Sequence, residues 1–181
     1  MVNIPNVITI IRAVLVPVFI TALHYKNFKF ALIVFLIAAV SDAVDGFLAR
    51  KLKQITTVGT IIDPLADKAL IDSGFVVLSF SHKIIPPWLT ILVLSRDAII
   101  IVGGWLLTVL GKIEKIKPIL LGKLTSFAQF STIFFTLLFL NFHNFYLELL
   151  LKFLYPFTGG MTAISGISYI FKGYREMENG E

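Results

Sequence analysis

From Ile119 to Leu140 the chain carries one charged residue, Lys123, in a run long enough to cross a lipid bilayer as a helix. Five further apolar stretches are read along the chain: Ile10 to Leu23, Phe28 to Arg50, Thr60 to Phe80, Trp88 to Leu110 and Phe145 to Phe171. Lipid offers no partner to a backbone amide, so runs of this kind leave the helix as the workable element. The expected architecture is all-α, a polytopic membrane bundle of six transmembrane helices. A short N-terminal interfacial helix is expected in MVNIPNVITIIR, with Pro5 near its start, either separate from the first span or continuous with it. Pro156 and Gly159-Gly160 predict a kink or break in the sixth span. One domain, residues 1–181, accounts for the whole pattern, without repeats.

Composition excludes most soluble readings. The chain is 57% hydrophobic and only 15% charged, with a mean hydropathy of +0.88, which places it among integral membrane proteins. A net charge of +5 would suit nucleic acid in a soluble chain. In an apolar one, basic residues mark cytoplasmic loops and contacts with anionic membrane lipid, so no nucleic-acid partner is expected. No basic segment precedes the first apolar run, which argues against a cleavable signal peptide.

Against this background four aspartates stand out in SDAVDGFLARKLKQITTVGTIIDPLADK: Asp42, Asp45, Asp63 and Asp67. Each would cost about 2.5–3.5 kcal/mol at the centre of a membrane helix, so none is expected to face lipid. If both arms are helical, the spacings Asp42/Asp45 and Asp63/Asp67 put each pair on one helix face. Two such faces meeting would gather four carboxylates. An all-oxygen cluster suits a hard cation such as Mg²⁺ or Mn²⁺. The absence of Cys and the scatter of the three His, all at span ends, argue against zinc. Gly46 and Ala49 keep bulk away from the acids, and Arg50 offers a cation for a phosphate.

The residues Asp42, Asp45, Gly46, Ala49, Arg50, Gly59, Asp63 and Asp67 reproduce the pattern D-x2-D-G-x2-A-R-x8-G-x3-D-x3-D. In this the chain resembles the CDP-alcohol phosphatidyltransferases. The resemblance implies a site in which Asp42, Asp45, Asp63 and Asp67 hold two Mg²⁺ (or Mn²⁺) ions. It implies further that Asp42, Gly46, Ala49, Arg50 and Gly59 border the nucleotide of CDP-diacylglycerol, and that Asp67 is the catalytic base. The N-terminal Pro5, Asn6, Thr9 and Arg12 look like the family's P-N-x2-T-x2-R stretch. Asn6 and Thr9 are accordingly expected at the nucleotide and Arg12 at the acceptor phosphate.

Two more positions bear on the acceptor. Arg96, in SRD, lies inside the fourth span, where a charge is expensive: it is read either as an anion ligand or as half of an ion pair with Asp97. The run GKLTSFAQ, from Gly122 to Gln129, is similar to the G-K-x-K-T-x-x-Q of family members that use glycerophosphate, with Thr125 in place of the second Lys and Ser126 in place of the Thr. Lys123 is therefore the main candidate for the acceptor phosphate, alongside Arg96, and Lys68 is read as a ligand for lipid phosphate or a neutraliser of the acids. The expected acceptor is a small phosphorylated alcohol, glycerol 3-phosphate, with phosphatidylglycerol, which would give cardiolipin, as the alternative. A Glu is expected after Arg96 in the glycerol 3-phosphate users, whereas Asp97 stands here. A small ion or proton transporter is the reading from a different class.

Basic residues fall mainly at one set of loops: Arg50, Lys51 and Lys53, then Lys112, Lys115 and Lys117, then Lys172 and Arg175. The opposite loops hold Lys26, Lys29 and Lys83. This asymmetry predicts a multi-pass protein of the cytoplasmic membrane, with both termini and the aspartates facing the cytoplasm. The resemblance also raises a homodimer, on which the residues themselves are silent.

Overall fold

A computed structural model of the protein describes residues 4–52, 68–109 and 120–178. The described residues are all helical or in tight turns. They form α1 (Ile4–His24), α2 (Phe28–Leu52), α3 (68–76, continuing as a π-helix over Val77–Ser81), α4 (Pro87–Val109), α5 (Leu120–Phe142) and α6 (Phe145–Glu178). Two segments, Pro87–Gly104 and Leu120–Phe142, are long and apolar enough to cross a membrane, and Val14–His24 and Phe28–Ser41 are shorter apolar helices.

The N-terminal segment and the first span form one helix: α1 runs unbroken from Ile4, with Pro5 at its second residue, where the missing amide hydrogen costs nothing. One expectation is corrected here: the sixth span is not broken. α6 continues through Pro156 and Gly159-Gly160 for 34 residues, about 51 Å at 1.5 Å per residue, which exceeds a hydrocarbon core of about 30 Å. The expected start of the third span near Thr60 lies outside the described residues.

The connections have identifiable chemistry. Asn27 caps α2 by accepting from the Phe30 amide at 3.2 Å, and Asn144 caps α6 by accepting from the Tyr146 amide at 2.8 Å. Lys26, Lys83 and His143, which follow α1, α3 and α5, take positive φ of 59°, 57° and 47°, the left-handed turn that ends many helices. His82 lies between Leu23, whose carbonyl is 2.8 Å from its Nε2, and the edge of Phe28. It is thus a structural tie between loops, as its place at a span end suggested.

The main helix contacts run in the cyclic order α1, α2, α5, α6, α4, α3 and back to α1. Phe19, Phe35, Phe75, Leu78, Leu89, Ile133 and Leu137 fill the middle, and the rings of Phe35 and Phe130 stack 4.8 Å apart. Gly74 lets α3 approach: a methyl there would stand 3.0 Å from Ile133 and 3.2 Å from Phe19.

The polarity is that of a membrane protein. Ile33, Ile37, Val40, Ile91, Phe127, Phe153, Ile164 and Phe171 are exposed, while Thr125, Gln129, Thr132, Thr136, Thr158, Thr162 and Ser165 are buried. These polar side chains form a seam between α5 and α6. Thr125 donates to its own helix at Leu121 and lies 3.2 Å from the Met161 carbonyl. Gln129 donates to Thr162 at 3.4 Å, Thr132 meets Thr158 at 2.8 Å, and Thr136 meets Tyr155 at 3.3 Å. Without water to compete, such bonds hold helices together more specifically than apolar contact does.

Thr132→Val keeps the shape but removes the shortest cross-helix bond of the seam. It is expected to destabilise the protein by about 0.6 kcal/mol and at most about 1.7, measured as the unfolding free energy in a detergent titration. The lipid-facing Phe127→Leu is expected to change it far less.

Candidate acceptor and nucleotide site

The predicted site residues divide by helix. Asn6, Thr9 and Arg12 lie on α1, and Asp42, Asp45, Gly46, Ala49 and Arg50 lie on α2, which runs without interruption to Leu52. The first aspartate pair is therefore carried on one continuous helix, three residues apart, as the spacing required. Gly59, Asp63 and Asp67 lie outside the described residues, and so does any meeting of the two pairs. The donor set, four carboxylates in a chain without Cys, fits a hard divalent cation by its chemistry.

Lys68, Arg96 and Lys123 are described, and a charged cluster forms around the first two. Arg96 and Asp97 are adjacent on α4 and both almost fully buried, at 4% and 3% exposure. Arg96 Nη1 donates to Asp97 Oδ1 at 2.5 Å. The same oxygen pairs with Lys68 Nζ from the start of α3. The rest of the guanidinium is also occupied. Nε and Nη2 donate to Ser165 Oγ of α6 at 3.4 and 3.3 Å, and Nη2 donates to the Gly122 carbonyl of α5 at 3.4 Å. The Tyr169 ring lies beneath, its centroid 5.6 Å from the guanidinium carbon. Asp72, one turn along α3 from Lys68, interacts electrostatically with Asp97, Lys68 and Arg96. One of its carboxylate oxygens is buried with no hydrogen-bond partner among the described residues.

Four helices thus meet at Arg96, which is paired with Asp97. Lys68 is turned to Asp97. The start of α5 is brought to Arg96 by Gly122, and Lys123, next in the chain, is exposed. Gly122 leaves space there: a methyl group would sit 2.6 Å from the Tyr169 hydroxyl and 3.3 Å from Arg96 Nη2, so those side-chain ends would have to shift. Thr125, where the related pattern has a second Lys, is fully buried in the seam and turned to α6. Sequence reasoning missed Asp72, Ser165 and Tyr169. Asp72 had a signal, an acid four residues after Lys68 in an apolar run. The spacing Tyr155, Thr158, Thr162, Ser165, Tyr169 also marks one helical face.

Residues 2–164 match the family model described as CDP-alcohol phosphatidyltransferase. The chain belongs to the CDP-alcohol phosphatidyltransferase family. Among its relatives in that family is the CDP-diacylglycerol–glycerol-3-phosphate 3-phosphatidyltransferase of Bacillus subtilis (strain 168), 30% identical over 98% of each chain. The protein of the same name from Aquifex aeolicus (strain VF5) is 33% identical, over 96% of this chain and 97% of its own. That of Haemophilus influenzae is 36% identical over 70% and 71%. The signature aspartates, Arg96 and the start of α5 all fall within the span matched to the CDP-alcohol phosphatidyltransferase model.

Gly122→Val is expected to push the Tyr169 hydroxyl and Arg96 off the start of α5 and to destabilise the protein by about 1–3 kcal/mol, as overpacking does. Gly160→Val is the control, since a Cβ there meets nothing within 4 Å. Thermal unfolding of the two variants in detergent checks the contrast.

Proposed function

We propose that this membrane protein transfers the phosphatidyl group of CDP-diacylglycerol to glycerol 3-phosphate, forming phosphatidylglycerophosphate and releasing CMP. One observation carries the reading: relatives that match the chain end to end bear the name of this reaction, and the eight signature residues stand here at their spacing. The site would lie on the cytoplasmic side of a multi-pass protein, as the basic loops support. A second copy of the chain completes this reading, and cross-linking in native membranes tests it.

Asp42, Asp45, Asp63 and Asp67 would hold one or two Mg²⁺ or Mn²⁺ ions. When bound, these would neutralise charge building on the pyrophosphate. Asn6, Thr9, Gly46, Ala49, Arg50 and Gly59 would border the cytidine and its phosphates, with the acyl chains left in lipid. Asp67 would take the proton from the acceptor hydroxyl. The hydroxyl oxygen then forms its bond to the phosphorus that carries diacylglycerol, the pyrophosphate bond to that phosphorus breaks, and CMP leaves with the electron pair. Arg12, Arg96 and Lys123 would face the acceptor phosphate. Lys123 is exposed and makes first contact, and Arg96 supports the same helix start from behind through Gly122.

The acceptor is tested by offering the purified protein CDP-diacylglycerol and Mg²⁺ with glycerol 3-phosphate and phosphatidylglycerol in parallel, and identifying the lipid product by mass. Phosphatidylglycerophosphate alone is expected; cardiolipin from phosphatidylglycerol would move the acceptor site into the bilayer. Asp67→Asn is expected to abolish turnover while CDP-diacylglycerol still binds, and wild-type turnover in that variant would remove Asp67 from the chemistry. Lys123→Ala is expected to raise the acceptor KM about ten- to a hundredfold, the loss of one charge-assisted hydrogen bond of about 1.5–3 kcal/mol.

A further inference from the structure

We infer that the end of the bundle away from Asp42 and Asp45 holds one anionic phospholipid, with an acyl chain in a groove between α1 and α2 and its phosphate at Lys26 and Lys29. That site lies in the leaflet opposite the proposed reaction and does not depend on it.

The groove follows from side-chain size. Along α1, Val18, Thr21 and Ala22 are short, while Phe30 of α2 stands as the far wall and Tyr25 closes one end. Together they line a volume of about 370 Å³ that begins at Pro17. From Pro17 to Tyr25 the chain advances eight residues, about 12 Å of helix. One leaflet of a hydrocarbon core about 30 Å thick is about 15 Å deep, so the groove has nearly the depth of a leaflet. Its polar groups gather toward the Tyr25 end, where Thr21, Tyr25 and Asn27 stand. A lipid tail with its headgroup at that end matches both the length and the polarity. A partner helix would need an apolar face across the whole bilayer, and the groove extends over less than half of that.

The sign of the headgroup is set by what surrounds the polar end. Lys26 lies between the lining residues Tyr25 and Asn27, and Lys29 precedes Phe30. Both lysines are exposed, and neither has an ion-pair partner among the described residues. The first acid in the sequence is Asp42, 13 residues along the unbroken α2 from Lys29, or about 20 Å. Glu148, the acid in the first turn of α6, is paired with Lys152 at 2.9 Å. Snorkelling lysines are common at a bilayer surface and by themselves mark no site. Here two of them, without a counter-charge, flank an apolar groove of leaflet depth, and the anion that carries a hydrophobic chain in a bilayer is a phospholipid.

The turn that carries them is held in place by the protein itself. The Lys26 amide donates to the Leu23 carbonyl and the Asn27 amide to the Ala22 carbonyl, both at 2.9 Å. His82, after α3, lies 2.8 Å from the Leu23 carbonyl oxygen, and Asn141 of α5 donates to the Phe28 carbonyl at 3.1 Å. The Tyr25 ring meets the His24 ring edge to face, with centroids 5.5 Å apart. The backbone of the turn is thus engaged, and Asn27 Oδ1 caps α2, which leaves Lys26, Lys29 and the Asn27 Nδ2 to take a phosphate. A site whose parts are already in place loses little freedom on binding.

The test titrates the full-length protein in detergent with phosphatidylglycerol or phosphatidylcholine of the same acyl chains, and counts bound lipid by native mass spectrometry. The wild type is expected to bind one phosphatidylglycerol about tenfold or more tightly than phosphatidylcholine. Lys26→Gln/Lys29→Gln should remove that preference, weakening phosphatidylglycerol about ten- to thirtyfold and leaving phosphatidylcholine unchanged. Thr21→Phe, at an exposed position on the groove, should weaken both lipids by filling it. Lys152→Gln on α6 should change neither. Equal affinity for the two lipids in the wild type, or a preference that survives the loss of both lysines, would mean annular lipid or another site only and would overturn the inference. A change of oligomer mass in Thr21→Phe with lipid affinity unaltered would overturn it too, giving the groove to a second copy of the chain. Because neither nucleotide nor glycerol 3-phosphate is added, the result is independent of the proposed reaction, and phosphatidylglycerol bound as an acceptor near the aspartates would persist in the lysine variant.

Discussion

A polar group inside this bundle has no water to fall back on, and the arrangement of the helices follows from that constraint. Each buried hydroxyl of α5 finds a carbonyl one turn back on its own helix or an oxygen on α6, and several find both. Turned toward lipid, each would cost more than the helix contact returns. The seam therefore sets which faces of α5 and α6 meet and at what height. Apolar contact is a poor way to fix either in a membrane, because lipid tails serve an isoleucine as well as a neighbouring helix does.

The same requirement becomes severe where the seam runs into charge. Ser165 belongs both to the hydroxyl face of α6 and to the guanidinium of Arg96, so the register of α5 on α6 also sets where Arg96 is held. Arg96 takes contacts from α5 and α6 and passes the constraint through Asp97 to α3. A buried charge with incomplete partners is costly, which makes such a network either complete or disruptive. Here the guanidinium is engaged on nearly every side, and its rigidity is available to the groups around it. Gly122 shows how closely the parts sit, since a methyl on the α5 backbone there would meet the ends of the Arg96 and Tyr169 side chains.

How much of this was legible in the sequence depends on how local the cause is. The helices were legible, since runs such as Leu120–Phe142 dictate them, and so was the placement of Asp42 and Asp45 three apart on one helix. Continuity was misjudged in the sixth span. Pro156 read as an interruption, yet neighbouring helices hold a long span helical through a lost hydrogen bond. The function class came from the resemblance of the eight spaced residues to the signature of a known family. What could not be read was the partnership of Lys68 with Asp97, or of Arg96 with Ser165, because these pair residues 29 and 69 positions apart through a packing that no local pattern specifies.

The two departures from the glycerophosphate-using pattern, Thr125 and Asp97, take on physical meaning once the packing is known. Both side chains point inward. A lysine at 125 would have to enter the seam where Thr125 meets the Met161 carbonyl, or leave it and break the contact between α5 and α6. Threonine there adds helix association at the expense of a cation near the acceptor. An Asp rather than a Glu at 97 brings the carboxylate closer to the α4 backbone, so that it can serve Lys68 only if α3 packs close to α4. Neither change removes a charge from the exposed start of α5, where Lys123 stands. The recognition of an acceptor phosphate therefore falls more heavily on Lys123 than it would in a chain with both lysines, and the tightness of the helices behind it becomes part of that recognition.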